Sequence, residues 1–345
     1  MLNPNEYIID KLIKQKPQHS QCFGMLRLFA FLWYVNFLFA VMRILLATVL
    51  FMVSLYANAQ HEAAFPYPSI PDTLRAPSAR AGYLVNHYWD GYNFADTTQN
   101  VAGGMAEQGF VNFLDLLPRV PRAVAASGMM AFVDRLYEDC QPAVRDYFAG
   151  LADSYLGNDD SPMRDDVLYA QFLDIMGASK FASVAERTRN DYMARNLRKN
   201  LPGTTAADFD YIDRHGKRRS LHSLAAPMTL LYFYDPDCGH CRQVLEQLLG
   251  IPQLTSEDGA VRVLAVYPYG YDERWSAAPR FPSTWIDGYS PDGDVTARDV
   301  YYIKSMPSLY LLDKDKKVVL KNPSVEVLRK ALSGGCRYQF FKTQL

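Results

Sequence analysis

Two cysteines separated by two residues, Cys238-Gly239-His240-Cys241, are the part of the chain whose types and spacing point most directly to chemistry. A cysteine attacks as its thiolate, so a reactive one needs surroundings that favour the anion. An apolar run, Met228 to Tyr234, stops at Asp235-Pro236 just before the pair. After it, Arg242 to Leu249 places Val244, Leu245, Leu248 and Leu249 on one helical face. The spacing predicts a buried strand, a turn carrying the first sulfur, and a helix. Backbone N–H groups and the helix dipole at such a start favour negative charge, so the pKa of Cys238 is expected below that of a free thiol. Cys241 falls one turn later, within reach of a mixed disulfide on Cys238. Three neighbours are expected to modulate the pair. An imidazole at His240 would stabilise the reduced form; the plainer reading is an exposed turn residue. The Gly239-His240 dipeptide points to a more oxidising or isomerising enzyme, whereas the carboxylate of Asp237 opposes a thiolate beside it.

A zinc site is the competing use of such a pair, but zinc needs four ligands and neither a second pair nor a His pair stands at suitable spacing. No metal and no cofactor is expected. A net charge of −1 with 21% charged residues excludes a nucleic-acid surface, and 49% hydrophobic content suits globular cores. Five cysteines are too few for a disulfide scaffold. Outside the pair, Cys22, Cys140 and Cys336 stand alone; Cys140 reads as a buried apolar residue or a partner of Cys336.

The 345 residues suggest two domains behind a targeting segment. Leu26 to Tyr56 is almost continuously apolar, long enough to span a bilayer. Its second half reads as a secretory signal: Met42-Arg43, an apolar stretch Ile44 to Tyr56, and Ala57-Asn58-Ala59 as the cleavage site. Met42 is then the start, residues 1–41 an upstream extension, and the mature protein periplasmic or exported. The alternative is an uncleaved membrane anchor. Export allows disulfide chemistry. Residues 60–80 form a proline-rich linker. Residues 81–200 read as an all-α domain with helices over Met105–Leu117, Val120–Tyr137, Pro142–Leu156, Pro162–Met176 and Ser183–Leu197, Pro142 and Pro162 standing at first helical positions and Ser161 as a cap. Tyr88 and Trp89 of His87-Tyr-Trp-Asp90 read as core aromatics. Residues 201–345 alternate strands and helices: strands at Phe209–Asp213, Lys217–Leu221, Met228–Tyr234, Val261–Tyr267, Ser308–Leu312 and Lys317–Leu320, with helices at Asp294–Ile303 and Ser324–Leu332. The fold class is thus α+β in two domains, helices first and an α/β sheet second.

From about Thr204 to Leu332 the chain resembles the thioredoxin superfamily, and more narrowly the exported TlpA/ResA-type thioredoxin-like proteins. The resemblance rests on Ala207-Asp208-Phe209, Asp213 and Gly216, the Cys-Gly-His-Cys motif, and Met306-Pro307-Ser308 leading into Leu309-Tyr-Leu-Leu-Asp313. It implies a redox-active disulfide, with Cys238 as nucleophile and Cys241 as resolving thiol. Pro307 takes the place of the family's cis-proline, and Met306 offers its backbone to an extended substrate in the manner of strand addition. The helical domain resembles one of unknown function that precedes thioredoxin domains in exported bacterial proteins. Three positions depart from the family: Asp237 stands for the usual tryptophan, Tyr232 for thioredoxin's buried acid, and Val244 for the glutamate of the TlpA/ResA helix. That leaves water or Asp237 to accept the Cys241 proton. The implied function is an exported thiol–disulfide oxidoreductase acting on protein thiols or disulfides with a membrane or periplasmic redox partner, in the reducing direction. The alternative is a non-catalytic scaffold whose helical domain binds a partner. The residues before Cys238 lack the peroxiredoxin pattern.

Overall fold

The structure, a computed structural model, describes residues 65–96, 104–138 and 141–334, together with Met42, Arg43, Leu45, Leu46 and Thr48, which are helical. The Ala57-Asn58-Ala59 cleavage site, Cys22, Cys140 and Cys336 lie outside the described residues. Among the described residues no helix is long and apolar enough to cross a membrane. The chain divides into two compact units, Met1–Ala64 and Phe65–Leu345, and the second contains both the helical and the sheet regions.

The helical region runs through α1 (Pro77–His87), α2 (Gly104–Leu116), α3 (Arg122–Glu138), α4 (Pro142–Ala152), α5 (Asp166–Ala178) and α6 (Val184–Leu197). Its core is aromatic. Trp89 stacks on Phe132 at 4.6 Å, and Phe110, Phe113, Phe148 and Phe172 are buried around them. Tyr88 and Trp89 are core residues, as their types suggest, while His87 pairs with Asp90 at the surface. The proline-rich stretch is irregular from Phe65 to Ala76 but does not hang free. Phe65 is buried against Tyr88 and Tyr92, and so close to α2 that a Cβ at Gly109 would lie 2.3 Å from its ring. α1 begins within the expected linker, with Pro77 in its first turn, where the missing N–H costs nothing.

Capping residues explain where the helices begin. Ser183 and Glu186 form a reciprocal capping box on α6. Pro142 opens α4 as expected, and a single π-turn, Asp153–Gly157, follows that helix. Pro162 does not open α5. Ser161 instead holds a turn, accepting from the Met163 N–H, and Asp165 caps the helix by accepting from the N–H groups of Val167 and Leu168. A carboxylate with two backbone donors at the positive end of a helix outcompetes a hydroxyl further upstream.

The sheet region has seven strands in the order β2-β1-β5-β4-β3-β6-β7. They are β1 (Asp210–Asp213), β2 (Arg218–Ser220), β3 (Met228–Phe233), β4 (Val261–Tyr267), β5 (Ile286–Tyr289), β6 (Ser308–Asp313) and β7 (Val318–Lys321). β3, β4 and β5 are mutually parallel, and β6, β7, β1 and β2 add antiparallel edges. Both faces of β3 are covered, which is why it reads as an unbroken apolar run. Leu230, Tyr232 and the following Tyr234 join the core beneath α7 (Gly239–Leu249), α8 (Pro252–Thr255) and α11 (Val325–Leu332), while Leu231 and Phe233 join the opposite core with Phe209, Tyr301 and Tyr310. Two short helices, α9 (Glu273–Ala277) and α10 (Asp294–Ala297), complete the layers. The helix expected over Asp294–Ile303 stops at Ala297. Asp299 takes a positive φ of 49°, and Lys199 Nζ and Asn200 Nδ2 from the end of the helical region bind the carbonyls of Asp299 and Val300. Tertiary partners override the local pattern there.

Candidate active site

β3 ends at Phe233, and the chain leaves the sheet through Tyr234-Asp-Pro-Asp237 before Cys238 caps α7. The Cys241 N–H donates to the Cys238 sulfur across 3.2 Å, so that sulfur occupies the acceptor position at the helix start. Cys238 is half-buried and Cys241 is buried; both are free thiols. Burial pushes the Cys241 thiol up to about 12; the neighbouring Cys238 and the Asp235 carboxylate push the same way, and the Asp235 backbone pulls against them. The two sulfurs thus have unequal parts: one reachable, one sheltered and protonated.

The Met306–Pro307 peptide is cis, and the Met306 carbonyl lies 3.7 Å from the Cys238 sulfur. Sites far apart in sequence therefore converge, because β6, which follows Pro307, pairs directly with β3. Of the other residues singled out, Gly239 and His240 are exposed in the first turn of α7, with no steric demand for glycine: a Cβ at Gly239 would meet only the Arg242 tip at 3.8 Å. Asp237 is exposed and pairs with Arg274 on α9 at 3.2 Å. Tyr232 is buried and donates to the Cys241 carbonyl at 2.8 Å; burial raises its pKa, so it holds the helix start rather than trading protons. Val244 is buried apolar surface on α7.

Three features of the site were invisible in the spacing. Arg274 bridges Asp237 and Asp272, and its hydrogen bonds hold the Asp272 carboxyl down at about 2. Asp287 on β5 is buried with a raised pKa, because desolvation outweighs the donors around it: Arg214 at 2.5 Å, Tyr234 at 2.8 Å and Trp275 at 3.1 Å. That carboxylate ties the segment before the cysteines to the β1–β2 turn and to α9. Tyr269 is exposed; partial desolvation, and after it the nearby Asp235 carboxylate, raise its pKa.

The sequence profile of a domain of unknown function, DUF5106, matches residues 47–200. No curated protein matches the chain. Among solved structures, a thioredoxin-like protein from Bacteroides caccae is 34% identical, with 78% of this chain and 98% of that one covered and a TM-score of 0.66. The chain belongs to the thioredoxin-like proteins. A conserved protein of unknown function from Bacteroides fragilis is 40% identical over 38% of this chain and 98% of its own, with a TM-score of 0.36. The thioredoxin domain of a thiol-disulfide oxidoreductase from Bacteroides vulgatus is 22% identical over 40% and 99%, with a TM-score of 0.35. In this thioredoxin-like chain the departures at Asp237 and Tyr232 each have a local partner, Arg274 for the first and the Cys241 carbonyl for the second.

Proposed function

We propose that the protein is an exported thiol–disulfide oxidoreductase of the TlpA/ResA type that reduces disulfides in polypeptides outside the cytoplasm. The carrying observation is the pairing of a reachable sulfur with a backbone donor, Cys238, and a sheltered, protonated thiol one turn away, Cys241. In the forward step the Cys238 thiolate attacks a substrate disulfide. A Cys238–substrate disulfide forms, and the substrate's other sulfur leaves and takes up a proton. Cys241 then loses its proton and attacks the Cys238 sulfur; the intramolecular disulfide forms and the second substrate thiol is released. Two electrons pass from the pair to the substrate. Cys241 gives up one proton and solvent, which holds the proton of the Cys238 thiolate, supplies the other; an exported or membrane-bound dithiol donor restores the pair.

The reducing direction is supported by Cys241. Attack on the reachable Cys238 sulfur of the oxidised pair must expel Cys241, and thiols of high pKa leave slowly. A pair of that kind gives electrons up more readily than it takes them. Export rests on Met42-Arg43, the apolar stretch after it and Ala57-Asn-Ala59.

Equilibration of the full chain with a dithiol redox buffer, read by alkylation, tests the reading. A potential near roughly −270 mV is expected; a value near roughly −120 mV reverses the direction. Failure of Cys238 and Cys241 to form a disulfide overturns the enzyme and leaves a scaffold.

A further inference from the structure

A cleft of about 610 Å³ runs from the cysteine motif to the helical region. His240, between the two cysteines, and Pro307, next to the Met306 carbonyl, line its near side; Asp153, Asp159 and Asp160, from the π-turn and the loop after α4, line the far side. The two sides are joined around the Met306–Pro307 loop. Lys304 Nζ binds Asp153 at 2.7 Å and the Gly157 carbonyl at 3.3 Å. Asp159 accepts from Ser305 Oγ and from Asn322 Nδ2, each at 3.1 Å. Asn322 Oδ1 in turn accepts from Ser308 Oγ at 2.6 Å and from the Leu309 N–H at 3.2 Å. Both flanks of Met306-Pro307 are thus anchored, directly or through Asn322, to one carboxylate of the helical region.

We infer that the Asp153–Asp160 segment forms the second wall of the groove that receives a polypeptide substrate, so that the helical region selects the substrate while the cysteines act on it. The occupant is an extended segment flanking the substrate cysteine. The cleft lies within the roughly 300–1,000 Å³ of sites that hold small ligands, which suits a few residues of chain. Acceptor side chains of Asp159, Asp160 and Asn322 line it together with Pro307, the residue after Met306. Its charge favours a lysine or arginine in that segment. Asp153 is neutralised by Lys304 and Asp159 by Arg164 at 3.2 Å, whereas exposed Asp160 meets no cation among the described residues. This inference rests on the oxidoreductase reading.

The test uses the reduced full chain and two cysteine peptides, identical except for lysines or glutamates around the cysteine, each linked by a disulfide to a chromophoric aromatic thiol. Attack by Cys238 releases either the chromophore or the peptide, and mass analysis assigns the mixed disulfide. The wild type is expected to react faster with the lysine peptide. Asp160→Lys, a surface change, is expected to shift the lysine-to-glutamate rate ratio about three- to tenfold, the scale of several exposed charge contacts. Asp160→Asn falls between, and the shift shrinks in high salt. Equal ratios in wild type and both variants, with both peptides reacting, overturn the second wall and leave the oxidoreductase standing. Reaction of neither peptide, while iodoacetamide still labels Cys238, overturns both.

Discussion

The inequality between the two thiols has a measurable consequence. With Cys238 replaced by Ser, Cys241 keeps the burial that is the main cause of its shift from an ordinary 9.0 to about 12. At pH 8 a three-unit rise cuts the thiolate population about a thousandfold. A thiolate of higher pKa is intrinsically more nucleophilic, and a Brønsted slope of about 0.4–0.5 returns roughly 15–30-fold of that loss. Because removal of Cys238 also removes its smaller upward push, the net rate of exchange with a small aromatic disulfide should fall below that of an unperturbed thiol by up to roughly 30–60-fold, before any hindrance from burial. The sign in pH is fixed as well. The group titrates late, so the rate should climb about tenfold per unit from pH 7 to 10 without a plateau. Peptide-resolved mass spectrometry separates Cys241 from Cys22, Cys140 and Cys336. A plateau below pH 9.5, or a rate within about threefold of a model thiol, would refute the account of Cys241 as a sheltered resolving thiol.

Two further perturbations follow from the buried and surface ion pairs. Arg214→Met leaves Asp287 buried without its cation and should cost about 3–5 kcal/mol in urea unfolding at pH 7. Asp287 already has a raised pKa in the folded state, so the folded protein holds the proton to higher pH than the unfolded chain, and stability falls as pH rises through that window. The variant raises this pKa further, so its deficit should be smaller at pH 5 than at pH 7; a deficit that grows on acidification contradicts the assignment. At the surface, Arg274→Gln exposes Cys238 to the uncompensated charge of Asp237 and should slow its attack on a disulfide about two- to fivefold, with Asp237→Asn restoring the rate. Slowing that persists in the double variant would assign the effect to α9 instead.

How much of this could be read from the chain depends on where each signal lives. β3, the motif and α7 are legible because their apolar residues mark a strand buried on both faces and then one helical face. β4 is legible for the same reason, and its bounds coincide with the expected Val261–Tyr267. β5 is not. Ile286-Asp-Gly-Tyr289 carries a charge and a glycine at its centre and looks like loop. The charge is satisfied by Arg214, Tyr234 and Trp275, and the glycine is demanded by β1, whose Ile212 carbonyl would lie 2.8 Å from a Cβ at Gly288. Both explanations lie in partners distant in sequence. The same limit hid Arg274 and made Asp237 look like a plain liability beside the nucleophile.

At the boundary between the two regions, buried ion pairs join the helical region to the end of β7. Lys321 at the end of β7 is buried; its ammonium reaches Asp166 at 2.7 Å and the carbonyls of Leu197 and Lys199 at 2.8 and 2.9 Å, and burial lowers its pKa. Arg164 reaches the carbonyls of Lys321 and Asn322, at 2.8 and 3.3 Å, while pairing with Asp166. A buried cation of this kind is tolerable only while its partners are present, and loss of one side of such a pair is far more costly than the pair is stabilising. The residue after Lys321 is Asn322, which holds Ser308 and Leu309 just beyond Pro307. The contacts that keep the regions together therefore run, one residue later, into those that hold the Met306 carbonyl beside the Cys238 sulfur. Any change that loosens the helical region at Asp166 should be felt at the cysteines through β7, without a contact to either sulfur.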